Sequence, residues 1–204
     1  MNKEIRTFNF DVNANNDEKH GNFIEGRAIV YDTPTNLGWY TEIIDKGALD
    51  STDVKDVRLL INHNTDMIPL ARSRNNTDNS TMQFTVDDEG MLIRANLDTE
   101  NNVEAKSLYS AIERGDISGM SFMFTVDEDS WEDEEAEHPI RHITSLRRIF
   151  EVSAVTFPAY EATTLEARGL SDALENAKES LENVRAKKRA IEAQKQRIRI
   201  LSEV

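Results

Sequence analysis

Apolar and polar positions alternate through the N-terminal two-thirds of the chain in the manner of strands. Arg27, Ala28, Ile29, Val30 and Tyr31 form a short apolar run, closed by the turn-like Asp32-Thr33-Pro34-Thr35-Asn36. Over residues 57–64 the pattern places Val57, Leu59, Ile61 and His63 on one face and Arg58, Leu60, Asn62 and Asn64 on the other. Segments 81–86 and 91–97 flank Asp87-Asp88-Glu89-Gly90, which predicts a hairpin. Residues 143–157 read as one further long or bent strand, stopped by Pro158. Together these signs predict a small antiparallel barrel or sandwich.

Two helices interrupt or follow the strands. Asn101-Asn102 can cap a segment in which Val103, Leu108, Ala111 and Ile112 share a face, with Gly115 as its left-handed stop. The tract Asp127-Glu128-Asp129-Ser130-Trp131-Glu132-Asp133-Glu134-Glu135-Ala136-Glu137 is too charged to bury, which predicts an exposed, mobile loop. After Gly169 the period changes. Leu170, Leu174, Ala177, Leu181, Val184, Ile191 and Ile198 follow steps of four and three, with Lys188 and Lys195 breaking the seam. This stripe suits a partner helix better than a globular core; one helix folded back on its own domain is the other reading.

Composition narrows the chemistry. The chain has 204 residues, room for one ordinary domain and an appendage. There is no cysteine, so thiol catalysis, disulfides and cysteine-based zinc sites are excluded. The first residues carry charges with no apolar stretch behind them, and no apolar run is long enough to span a bilayer; a soluble intracellular protein is expected. The formal net charge is −14. From residue 170 onward eight Lys/Arg stand against six Asp/Glu, a net of +2, so the rest carries −16. An acidic body of this kind is a poor nucleic-acid binder.

Of the four histidines, His20 lies in a polar stretch and reads as a solvated loop residue, whereas His63 ends an apolar strand face. Ser121, in Ile117-Ser118-Gly119-Met120-Ser121-Phe122, sits behind a glycine at the start of an apolar strand. It is either a hydrogen-bonded core residue or a nucleophile, and a nucleophilic serine needs a base and an orienting group. Glu151 opens an otherwise apolar strand, where a carboxylate needs a partner; the candidates are a salt bridge to Arg147 or Arg148, or a role behind His63. A Gly-x-Ser-x-Gly elbow is absent because Met123 replaces the second glycine. His138-Pro139-Ile140-Arg141-His142 lacks the glutamate of a zinc hydrolase, and no glycine-rich phosphate loop is present. No metal or cofactor is expected.

Taken together, Leu59-Leu60-Ile61-Asn62-His63-Asn64, Ile117-Ser118-Gly119-Met120-Ser121-Phe122 and Phe150-Glu151-Val152-Ser153-Ala154-Val155-Thr156-Phe157-Pro158-Ala159 resemble the tailed-phage prohead proteases. These are capsid-maturation serine proteases distantly similar to the herpesvirus assemblins. Gly26-Arg27-Ala28-Ile29-Val30-Tyr31 and Glu42-Ile43-Ile44-Asp45-Lys46-Gly47-Ala48-Leu49 agree, with Leu49 where phenylalanine is common. The resemblance spans residues 5–167. It implies an α+β fold built on a compact, mainly antiparallel β-barrel with flanking helices, assemblin-like, followed by a long C-terminal helix. Residues 1–168 would be the protease domain and 169–204 a coiled-coil-like tail.

By the same resemblance His63 is the general base, Ser121 the nucleophile and Glu151 the orienting acid. His142 is the alternative third member, because assemblins use a second histidine there. Arg147 or Arg148 would support the oxyanion. The implied substrates are the major capsid protein or a scaffold segment, and the chain itself, inside the prohead assembling in the host cytoplasm. Self-association through the C-terminal helix is expected, with no nucleic-acid or membrane partner. The competing class is an inactive, protease-like assembly factor acting through that helix.

Overall fold

The computed structural model describes residues 3–8, 12–18, 21–156 and 164–202, without the side chains of residues 8, 164–170, 200 and 202. His20 and the expected strand stop at Pro158 lie outside these residues. The strands are β1 (Glu4–Phe8), β2 (Val12–Asp17), β3 (Gly21–Val30), β4 (Thr35–Asn36), β5 (Thr41–Ile44), β6 (Asp56–Ile61), β7 (Ala71–Arg74), β8 (Met82–Asp87), β9 (Gly90–Asn96), β10 (Gly119–Glu132) and β11 (Ile140–Val155). Two helices, α1 (Val103–Glu113) and α2 (Thr164–Ser202), complete the order. The fold is mixed α+β and dominated by sheet.

The described strands form two sheets and not the expected closed barrel. One has seven strands in the order β1-β10-β11-β5-β4, with β6 on β11 and β7 on β6; the other runs β2-β3-β9-β8. β11 is long enough to carry two parallel neighbours on one edge, β5 against residues 140–143 and β6 against residues 151–154. The second sheet covers the first, and Ile24, Ile29, Met91 and Ile93 meet Met120, Phe122, Phe124 and Val152 in one buried core. Gly26 makes the close approach possible, since a Cβ there would lie 2.9 Å from the sulfur of Met120.

Local signals act where expected. Asp87 and Gly90 close the β8–β9 hairpin, and the Asn102 side chain accepts from the amides of Glu104 (2.9 Å) and Ala105 (3.1 Å) at the start of α1. Gly115 takes φ +77° after the helix. Helix α1 buries Ala105, Leu108 and Ile112, while Val103 is exposed, so its inner face is rotated from the predicted one.

Three expectations change. The acidic tract is not a loop from its start: residues 127–132 extend β10 against β11. The pairing tolerates the charge because Asp129 binds Arg141, Lys188 and Arg185 reach Glu134, and Trp131 stacks on Trp39. His63 is not on a strand face; β6 stops at Ile61. The C-terminal helix starts at Thr164, with Gly169 inside it. Its seam is divided: Ala177 and Leu181 are buried, together with Ala173 beside the seam, whereas Ile191 and Ile198 are 53% and 60% exposed. Among the described residues, no helix is long and apolar enough to cross a membrane.

Candidate active site

The apolar run of β6 ends at Ile61, and the next two residues both take left-handed backbone, Asn62 at φ +50° and His63 at φ +55°. Asparagine tolerates this conformation; for histidine it is less common and is held only by surrounding bonds. The Asn62 amide donates to the Ala154 carbonyl at 3.0 Å, and the Asn62 side-chain oxygen accepts from the Thr156 amide at 3.0 Å. The His63 amide donates to Ser153 Oγ at 3.1 Å. The turn is thereby pinned to the end of β11, and the imidazole is carried to Glu151.

His63 Nδ1 lies 2.7 Å from Glu151 Oε1, and Ser153 Oγ donates to Glu151 Oε2 at 2.5 Å. Both carboxylate oxygens are satisfied, which is what makes a fully buried acid tolerable. The carboxylate can only accept, so Nδ1 carries the proton and Nε2 presents its lone pair. Nε2 is buried and has no partner among the described residues. Such a nitrogen can take a proton from a serine hydroxyl.

Ser121 lies on β10 directly opposite Ser153, two residues before Met123, which faces Glu151. Opposed side chains on one sheet face sit about 4.5–5.5 Å apart at Cβ, so Ser121 neighbours the hydroxyl that joins His63 to Glu151. The structure therefore places Ser121 and Glu151 on one face of one sheet, with the His63 imidazole bonded to Glu151 from the turn after β6. Ser121 Oγ, however, is not bonded to the imidazole. It donates to the Arg6 carbonyl oxygen at 2.8 Å and accepts from Thr7 Oγ1 at 2.9 Å.

The remaining candidates fall elsewhere. His142 is eleven residues along β11 from Ser153, on the order of 35 Å of extended strand. Its Nδ1 is 2.8 Å from Asp45 and its Nε2 3.5 Å from Glu132. The Asp45 hydrogen bond, with Glu132 assisting, raises its pKa above the ordinary histidine value. Arg148 and Arg147 are five and six residues from Ser153, roughly 17–20 Å along the strand. Arg148 lies 3.8 Å from Asp53 and over the Phe150 ring, and neither arginine takes up Glu151. As the structure stands, His142 is out of reach of His63, and the arginine pair is not beside Ser121. Thr41 Oγ1 is 2.9 Å from His138 Nε2 on the surface. Among the described residues, no group of three or more His, Asp or Glu side chains could hold a metal ion.

Sequence reasoning missed Ser153 and β1. The signal for Ser153 was its spacing: position i+2 from Glu151 on a strand shares the carboxylate's face. No local signal marked β1 as the neighbour of Ser121.

A carboxylate-paired imidazole beside a strand serine is the equipment of a serine-nucleophile hydrolase. Residues 8–180 match the caudovirus prohead serine protease family, and the chain belongs to that family of serine proteases. It is 27% identical over 181 residues to the prohead protease of Enterobacteria phage HK97, covering 86% of this chain and 73% of that one. The bacteriophage T4 capsid assembly protease is a more distant structural match, at 13% identity and a TM-score of 0.35 over 74% of this chain and 98% of that one.

Proposed function

We propose that this protease cleaves capsid or scaffold protein during phage head maturation, with Ser121 as nucleophile, His63 as general base and Glu151 as the group that orients it. The observation that carries the reading is the 2.7 Å contact of His63 Nδ1 with the buried Glu151, which leaves Nε2 as the basic nitrogen. Ser121 Oγ attacks the scissile carbonyl while Nε2 takes its proton. Glu151 stabilises the imidazolium so formed, and Nε2 then protonates the leaving amine. Water hydrolyses the acyl-enzyme by the same proton route. The Ser121→Ala variant should fold, by circular dichroism and melting temperature, yet leave capsid or scaffold substrate uncut. Processing at the wild-type rate would end the assignment.

The chain itself is a second proposed substrate, with the site of action inside the assembling prohead. Mass spectrometry of the expressed chain should find self-cleavage near the junction between residues 1–168 and the tail, and Ser121→Ala should abolish it. The open apolar positions Ile191 and Ile198 support self-association through the outer half of α2, checked by sedimentation of the full chain against one ending near residue 186.

A further inference from the structure

The turn that carries His63 spends its backbone on holding itself. The Asn62 amide donates to the Ala154 carbonyl at 3.0 Å, the His63 amide to Ser153 Oγ at 3.1 Å and the Asn64 amide to the Ile61 carbonyl at 3.0 Å. Beyond it the Asp66 amide is taken by Asn64 Oδ1 at 3.1 Å and the Met67 amide by the Asn64 carbonyl at 3.3 Å. An extended polypeptide is held largely through hydrogen bonds to its main chain. At this turn those bonds must come from a group the fold has not used.

Asn62 keeps such a group. Its side-chain oxygen accepts from the Thr156 amide at 3.0 Å and from the Thr156 hydroxyl at 3.2 Å. A backbone N–H can bond only the oxygen of a side-chain amide, so the orientation is fixed and the NH2 faces away from Thr156. The Nδ2 protons have no partner among the described residues. Asn62 is half-buried and His63 beside it fully buried, so the turn passes from the site to the surface here. The φ of +50° and the clamp on Thr156 account for asparagine as a structural residue. The oriented, unused donors are what that role leaves over.

Position decides which part of a substrate they meet. Asn62 lies against β11 at Ala154, and Ser121 stands on β10 opposite Ser153. β6 and β10 flank β11, so two strand spacings separate the residues, roughly 10 Å or about three residues of extended chain. His63 Nε2 protonates the leaving amine, so the polypeptide beyond the scissile bond has to pass the imidazole. Asn62 is its neighbour in the same turn.

We propose that Asn62 binds the leaving side of the substrate, its Nδ2 donating to a main-chain carbonyl about three residues beyond the scissile bond. This rests on the reading of Ser121 as nucleophile and His63 as base. The contact touches no substrate side chain, so it favours an extended polypeptide over a short leaving group without setting a sequence preference.

Asn62→Asp keeps an oxygen for Thr156 and a residue type that tolerates left-handed backbone, and it removes the donors. Two substrates share the residues before the scissile bond of a processing site; one continues well beyond the bond and the other ends in an aminocoumarin amide. In the full-length protein the variant should lose about tenfold in kcat/KM on the extended peptide and stay within about twofold on the coumarin amide. Any effect of the new charge on His63 acts on both substrates, so their ratio isolates the donor. Equal losses on both would make Asn62 a holder of the turn alone and overturn the proposal, as would no loss on either. If circular dichroism shows the variant unfolded, the wild-type enzyme answers the question with a thioamide, a weaker acceptor, placed at successive residues beyond the bond. KM should rise at one of them, and no rise at any would overturn the proposal. Cleavage that persists in Ser121→Ala would instead remove the nucleophile assignment, and the proposal with it.

Discussion

Glu151→Gln separates the role of the carboxylate charge from that of its shape. Glu151 Oε1 accepts from His63 Nδ1 and Oε2 accepts from Ser153 Oγ. Glutamine fills the same space. Its carbonyl can keep the Nδ1 bond while its amide donates to Ser153 Oγ, so the imidazole can retain its tautomer and the loss is mainly the charge. As Ser121 is deprotonated, a positive imidazolium forms within about 4 Å of the carboxylate, where an effective dielectric near 20 gives an attraction of about 4 kcal/mol. That dielectric suits a pair whose side chains are 0% and 3% exposed. At about 1.4 kcal/mol per decade, the variant should lose roughly a thousandfold in kcat. His142→Ala, which disturbs contacts with Asp45 and Glu132 far along β11, should stay within about twofold of wild type. The assay is steady-state cleavage of a peptide spanning a processing site, with melting temperature as the control for folding. A Glu151→Gln enzyme within about threefold of wild type, or a larger loss in His142→Ala, would refute the assignment of Glu151 behind His63.

Three further outcomes follow from the same geometry. Ser153→Ala strips Glu151 Oε2 of its donor and the His63 amide of its acceptor, so kcat should fall about tenfold or more with KM little changed. Ser153→Thr should recover most of the loss, and failure to do so would make the role one of packing alone. Arg141→Ala removes a partner from buried Glu4 and Glu42, a loss of about 3–5 kcal/mol in urea unfolding; a loss below about 1 kcal/mol would mean the network contributes little. His142 has a raised folded pKa, so its stabilising charge is fully present below the unfolded value of about 6.5 and is lost as pH rises through the folded value. The gap in melting temperature between wild type and His142→Gln should therefore be widest in acid and close toward alkaline pH, and a gap that widens with rising pH would contradict the pairing.

Elements whose cause lies within a few residues were readable from the chain. The Asn102 cap, the stop at Gly115 and the hairpin between β8 and β9 each depend on side chains beside the backbone they shape. The seam of α2 was readable as a stripe but not in its use, because buried Ala177 and Leu181 serve the body and exposed Ile191 and Ile198 do not. The acidic tract was misread because charge density was weighed without its partners. Arg141, Arg185 and Lys188 come from distant strand and helix positions.

The site divides along the same line. His63, Ser121 and Glu151 could be named from residue type, position and family likeness, and the sequence alone supplied every chemical group a serine protease needs. Sequence could not tell whether Glu151 or His142 stands beside His63, nor that Ser153 bonds Glu151, nor that a strand near residue 7 lies on Ser121. Those outcomes depend on hydrogen bonds spanning 88 residues from His63 to Glu151 and 115 from Ser121 to Arg6. Such contacts form only once β1, β6, β10 and β11 are paired in one sheet, and their partners are fixed by strand register and the left-handed turn at His63, which no local pattern encodes.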